Sequence, residues 1–119
     1  MRDHRKLRAF ELADELVLAI YSATRSFPND ELFGLSAQLR RSAVSVASNI
    51  VEGCARSSQA DYLRFLDIAL GSARELEYQL SIAARLGYLE STQSSELAAG
   101  SNELVRVRAG LMRSLRGES

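Results

Sequence analysis

The sequence predicts an all-α protein, an antiparallel up-down-up-down four-helix bundle, on three observations. Apolar residues recur at three- and four-residue spacing over four long segments. None of the four alternates with the period of two that a half-buried strand requires. Breaks are confined to three places: "SFPNDELFG", which holds the only proline, Pro28; "GCARSS" (53–58); and "GYLESTQSS" (87–95). Four amphipathic helices with short connections bury their stripes on one another as a bundle. The 119 residues form one domain, 1–119. A chain of that size buries about two-thirds of its unfolded surface and needs no metal or disulfide to hold a core.

Helix 1 is predicted over 6–26, with Ala9, Leu12, Ala13, Leu16, Ile20, Ala23 and Phe27 on one face, Phe10, Val17 and Tyr21 widening it, and Pro28 as its stop. Helix 2 is predicted over 35–55, with Ser36 as N-cap and Gly53 near its end. Its core face is Leu39, Ala43, Val46, Ala47, Ile50 and Cys54. Helix 3, over 58–86, opens with the capping-box pattern Ser58-Gln59-Ala60-Asp61 and closes at Gly87. Its core face is Tyr62, Phe65, Leu66, Ala69, Ala73, Leu76, Leu80 and Ala83. Helix 4, over 92–115, carries Leu97, Gly100, Leu104, Val107 and Leu111 at helical spacing, and Gly100 and Gly110 each weaken it by about 1 kcal/mol relative to Ala.

Helix 2 has a second stripe that ordinary solvated faces lack. At 100° per residue, Gln38, Arg41, Ser42, Ser45, Ser48, Asn49, Glu52 and Arg56 fall within about a third of its circumference. Ser and Asn are poor helix formers, so a water-facing stripe would favour Glu, Lys, Gln and Arg instead. Helix 3 likewise has apolar residues off its core face: Ile68, Gly71, Tyr78 and Ile82. Val44, Val51 and Ala55 form a second apolar edge on helix 2. Small side chains permit close helix approach, and tyrosine is favoured at interfaces. Gln38, Arg41, Ser42, Ser45, Ser48, Asn49, Glu52, Tyr78 and Ile82 are therefore the candidates for a subunit interface or a central channel. The serine stripe facing water, or lining a ligand site, are the alternatives, and isolated exposed apolar side chains need no special role.

Much chemistry is excluded. Fifteen basic residues balance fifteen acidic ones, and the pI is near 6.6, well below the value above about 9 that marks a dedicated nucleic-acid-binding monomer. The only histidine, His4, sits in a charged N-terminal stretch expected to fray, which leaves no Ser-His or Cys-His pair and no metal set. Cys54, the only cysteine, falls on a core face as a small hydrophobe. No GxGxxG or GxxxxGK[ST] stretch is present. The carboxylate pairs Asp61/Asp67 and Glu75/Glu77 lack the ExxH spacing of di-iron bundles and read as surface charge. The expectation is a protein that is not an enzyme and takes no cofactor or metal. With no secretory signal and no apolar run of 18 residues, it is expected in the cytoplasm and not in a membrane.

The basic residues are not spread evenly. Arg2, His4, Arg5, Lys6 and Arg8 crowd the first eight positions, and Arg106, Arg108, Arg113 and Arg116 make helix 4 end basic, answered mainly by Glu103 and Glu118. In an antiparallel bundle these two ends share a pole. Arg5, Lys6, Arg8, Arg106, Arg108 and Arg113, with Arg40 and Arg41, are the candidates for contact with RNA or DNA. Solvated side chains and helix-dipole pairing are the plainer reading. In a cyclic oligomer each copy would add its basic pole to one rim, multiplying the phosphate contacts.

The run "LFGLSAQLRRSAVSVASNIVEGCARSSQADYLRFLDIALGSARELEYQLSIAARLGYL" (32–89), with "HRKLRAFELADELV" before it, resembles the bacterial four-helix-bundle proteins encoded in intervening sequences of 23S rRNA genes. The likeness extends from Arg5 to Leu89, with helix 4 divergent. The accessory proteins of diversity-generating retroelements belong to the same group. The resemblance implies a four-helix protomer and a homopentameric barrel, and, for the retroelement branch, binding to nucleic acid and to a reverse transcriptase. Many members carry a proline where this chain has Ala47, which should leave helix 2 straighter. The retroelement branch is strongly basic, whereas this chain is neutral. The sequence thus points to a ring-forming bundle with self as partner, most simply a pentamer, acting as a nucleic-acid-binding accessory factor. The alternative is a scaffold or adaptor for another protein, with no nucleic-acid role.

Overall fold

The structure, a computed structural model, describes residues 2–99 and 101–115. Five α-helices follow in order: α1 Arg8–Thr24, α2 Leu35–Cys54, α3 Gln59–Arg85, α4 Ser91–Ala98 and α5 Ser101–Leu115. Short 3-10 turns at His4–Lys6 and Asn29–Glu31 precede α1 and α2. No strand occurs among the described residues. α4 and α5 together form the fourth rod of an all-α four-helix bundle, 49 × 22 × 20 Å. α1 packs on α2, α2 runs along α3, and α3 carries α4 and α5, while α1 meets the fourth rod only thinly. No helix among the described residues is long and apolar enough to cross a membrane.

The core follows the helical periodicity. All eight residues of the core face expected on helix 3 are buried, as are Leu39, Ala43, Val46, Ile50 and Cys54 of α2. Two apolar clusters fill the rod. One gathers Ala9, Ala13, Val46, Ile50, Tyr62, Leu66 and Leu104, the other Ile20, Phe27, Leu39, Leu76, Leu80 and Leu89. Alanines at 9, 13, 43, 69, 73 and 83 are buried to 5% exposure or less. Their small side chains let the helix axes approach closely.

Three local features differ from expectation. The fourth helix is not continuous from 92 to 115. α4 ends at Ala98 and α5 begins at Ser101, because the "SSELAAGSN" stretch is rich in Ser, Asn and Gly, which stabilise helix poorly. Gly100, Arg116 and Glu118 lie outside the described residues. Ser36 does not cap α2: it lies in the first turn, buried, and the Glu31 carboxylate instead accepts from the Leu35 amide at 3.3 Å. The N-terminal stretch is tied down. Asp3 Oδ1 accepts from the Arg5 amide at 3.0 Å, the Arg2 amide donates to the Cys54 carbonyl at 2.8 Å, and the His4 ring meets Phe10 edge-on at 4.7 Å.

α3 starts and stops as its sequence dictates. Ser58 Oγ accepts from the Asp61 amide at 3.1 Å. At the other end, Gly87 takes φ +82°, the Tyr88 amide donates to Ala83 O at 2.9 Å, and the Gly87 amide donates to Ala84 O at 3.0 Å. That is a Schellman closure, in which a Cβ is strained at the left-handed position. Gly87→Ala is expected to lower stability by about 1 kcal/mol, read as an earlier denaturation midpoint with the helical signal unchanged.

Candidate nucleic-acid interface

The bond from Arg2 to the end of α2 fixes which groups share a pole. It places residues 2–8 beside the α2–α3 corner, and α5 reaches the same region through an Arg108–Asp67 ion pair to α3. Nine basic side chains collect there: Arg2, Arg5, Lys6, Arg8, Arg56, Arg64, Arg106, Arg108 and Arg113. The same end carries seven acids, Asp3, Glu11, Asp14, Glu52, Asp61, Asp67 and Glu103. A chain with no net charge therefore has a basic end.

Aromatic rings at the first turns of α3 hold three of these arginines. The Arg2 guanidinium lies 3.9 Å from the centroid of Tyr62. Arg56 and Arg64 flank Phe65 at 4.7 and 4.6 Å. The rings themselves are buried and act as supports for the guanidinium groups, two of which also pair with carboxylates, Arg56 with Glu52 and Arg64 with Asp61. The close approach of α2 and α3 here depends on Gly53, where an added Cβ would come within 2.9 Å of Phe65 Cβ and 3.2 Å of Tyr62 Cδ1.

The ion pairs at this pole are exposed. Arg5 pairs with Asp3 at 3.0 Å, Arg8 with Glu11 at 2.9 Å, Arg56 with Glu52 at 3.0 Å and Arg64 with Asp61 at 3.9 Å, while Arg106 pairs with Glu103. Hydrogen bonding from Arg5 lowers the Asp3 carboxyl below its ordinary range. Such exposed pairs contribute roughly 0–1 kcal/mol each and exchange readily for phosphate oxygens. Cys54 adds no nucleophile: it is buried, and burial raises both its pKa and that of Tyr62.

The other sequence candidates lie elsewhere. Arg40 donates to Thr24 Oγ1 at 2.9 Å and sits 4.8 Å from the Tyr21 ring. Arg41 is exposed beside Val44 and Ser45 in an open groove of about 420 Å³. Both lie some thirteen residues before Cys54, about 20 Å along α2 from the basic end.

The serine stripe divides in two. Ser42 is buried, Ser45 Oγ bonds to Ser72 Oγ of α3 at 2.8 Å, and Asn49 Nδ2 donates to Ser45 O at 2.8 Å and to Ser45 Oγ at 3.1 Å. That half seals α2 against α3 of its own chain. Gln38, Arg41, Ser48 and Glu52 stay exposed, Tyr78 is 63% exposed, and Ile82 is half-buried against the second core cluster.

Sequence periodicity does not find the arginine–aromatic supports, because Arg2, Arg56 and Arg64 come from three separate segments. The one signal available is the Tyr62/Phe65 pair at i, i+3 with Arg64 between them. At the opposite pole, Leu32 and Phe33 stand 51% and 92% exposed in the turn before α2, which no helical face accounts for.

An antiparallel helical bundle with one basic end thus defines the structural class. The model of the 23S rRNA-intervening sequence protein family matches residues 5–110, and the chain belongs to that family. Among solved structures it is similar to a protein of unknown function from the S23 ribosomal protein family of Bacteroides thetaiotaomicron VPI-5482. The TM-score is 0.77 at 26% identity, over 88% of this chain and 98% of that one. A search of curated proteins finds no match.

Proposed function

We propose that this protein is a non-enzymatic, cytoplasmic accessory factor that assembles as a ring of identical copies, a pentamer in the simplest case, and binds RNA or DNA through its basic ends. The observation that carries the reading is the gathering of Arg2, Arg5, Lys6, Arg8, Arg56, Arg64, Arg106, Arg108 and Arg113 at one pole of a neutral chain. One pole offers few phosphate contacts, but several copies on one rim offer enough for useful affinity. The test is a titration of labelled structured RNA and single-stranded DNA. Binding at about 50 mM salt that weakens at least about a hundredfold by 200 mM is expected, since each phosphate contact releases counterions. Absence of binding at the lower salt overturns the reading and assigns the arginines to ion pairs and helix ends.

The exposed Leu32–Phe33 turn favours a second reading, a scaffold that holds another protein at the far pole. A partner recovered by the wild type, retained at high salt and lost with Phe33→Ser, is the expected result on that reading.

A further inference from the structure

We infer that the groove between α1 and α4 is a docking site for an amphipathic helix of a partner protein, one whose apolar stripe is edged on both sides by Lys or Arg. The site is independent of both readings above, since it uses neither the basic end nor Phe33. α4 is eight residues long and rich in Ser, shorter than a helix that holds alone in water. It leans on α3, meets α1 only thinly and buries none of its side chains. A groove is left open between α1 and α4, as two adjoining hollows of about 270 and 450 Å³ that share Ala19, Glu96 and Leu97.

The floor of the groove has the period of a helix face. Leu12, Leu16, Ala19 and Ala23 step by four, three and four along α1, and Leu97 faces them from α4. All five are half-buried. From Leu12 to Ala23 the floor spans about 16 Å, three turns of helix. An incoming helix with apolar anchors at i, i+3 or i+4, and i+7 matches it, and the two alanines leave room for large side chains. Charge names the occupant. Glu15 stands on the α1 wall and Glu96 on the α4 wall, both exposed. Neither carboxylate has an ion pair among the described residues, and no basic side chain among them lines either hollow. Two negative edges oppose a phosphate or a carboxylate, and so turn away nucleic acid and anionic lipid. A helix with cations on both sides of its stripe meets a carboxylate on each wall. Seated there, it covers Leu97 and gives α4 the second neighbour it lacks.

The test is fluorescence anisotropy of a labelled helical peptide titrated with the full chain. The peptide has about 14 residues, with leucines at i, i+4, i+7 and i+11 and lysines on both flanks. One control carries glutamate for every lysine, and the other has the same residues in shuffled order. The wild type is expected to bind the lysine peptide at least about tenfold tighter than either control. Glu15→Lys combined with Glu96→Lys, both at exposed positions, is expected to keep its helical signal, weaken the lysine peptide about tenfold and reverse the preference to the glutamate peptide. Ala19→Arg, which fills the middle of the groove, is expected to abolish binding of both. No saturable binding of the lysine peptide, equal binding of the shuffled one, or binding that these variants leave unchanged overturns the inference. A second copy of this chain as the occupant would appear by light scattering as a lower mass of the Glu15→Lys, Glu96→Lys variant, and that result overturns it too.

Discussion

Gly53→Val is expected to destabilise the protein by about 2 kcal/mol and to weaken nucleic-acid binding with it. The cost comes from overpacking. The Cβ alone would stand 2.9 Å from Phe65 Cβ, which is fixed close to the α3 backbone and cannot swing aside as the end of a long side chain would. The two further methyls of valine add to the conflict with Tyr62 at 3.2 Å. The gain in helix propensity, about 0.5 kcal/mol over glycine, does not offset it. If α3 shifts to make room, Tyr62 and Phe65 move, and with them the supports under Arg2, Arg56 and Arg64. Chemical denaturation measures the first effect, and the low-salt titration of a folded fraction measures the second. A variant as stable as the wild type would mean that the corner has slack the geometry does not show.

Leu66→Ala carries the largest expected loss, about 3 kcal/mol. Leu66 has 0% of its surface exposed and sits where α1, α2, α3 and α5 meet, among Ala13, Ile50, Ala69 and Leu104. Truncation removes three carbons, Cγ and its two methyl groups, from contact and leaves a void. Neighbouring alanines are too short to fill it, so the cavity contribution persists. For a domain of this size such a loss shifts the thermal midpoint by more than 10 °C. A shift of only a few degrees would mean that the helices close the gap by sliding together.

How much was legible in the sequence depends on the range of the interaction. The core faces were readable because burial repeats every three or four residues within one segment, and Leu39, Ile50, Leu66, Leu76 and Leu80 are all fully buried. The α3 ends were readable because Ser58 and Gly87 act on their own backbone. Features that depend on a partner distant in sequence were not. The capping of Leu35 by Glu31, where Ser36 was expected, depends on the path of the loop after Pro28. The anchoring of Arg2 to Cys54 needs the antiparallel return of α2. The serine stripe illustrates both cases. Its membership was readable from angle alone, but its division into an inner half bonded to Ser72 and an outer half open to solvent is set by where α3 lies against α2. The basic end was anticipated from the two termini, yet Arg56 and Arg64, more than fifty residues from either terminus, complete it.

The length of the rod bears on how the two poles can communicate. The arginine-rich corner and the Phe33 turn lie toward opposite ends of a body 49 Å long. A nucleic acid at one end and a protein at the other would not touch, so each would bind with an affinity indifferent to the other unless the protein changed state between them. α2 and α3, 20 and 27 residues long, are joined near their middles by the Ser45–Ser72 bond and close-packed against Gly53 at the corner. They run between the two regions as a pair of struts. Stiff struts without a second packing arrangement transmit no free energy. The expected behaviour of a single copy is therefore that of a bridge: two loads carried at once, each blind to the other.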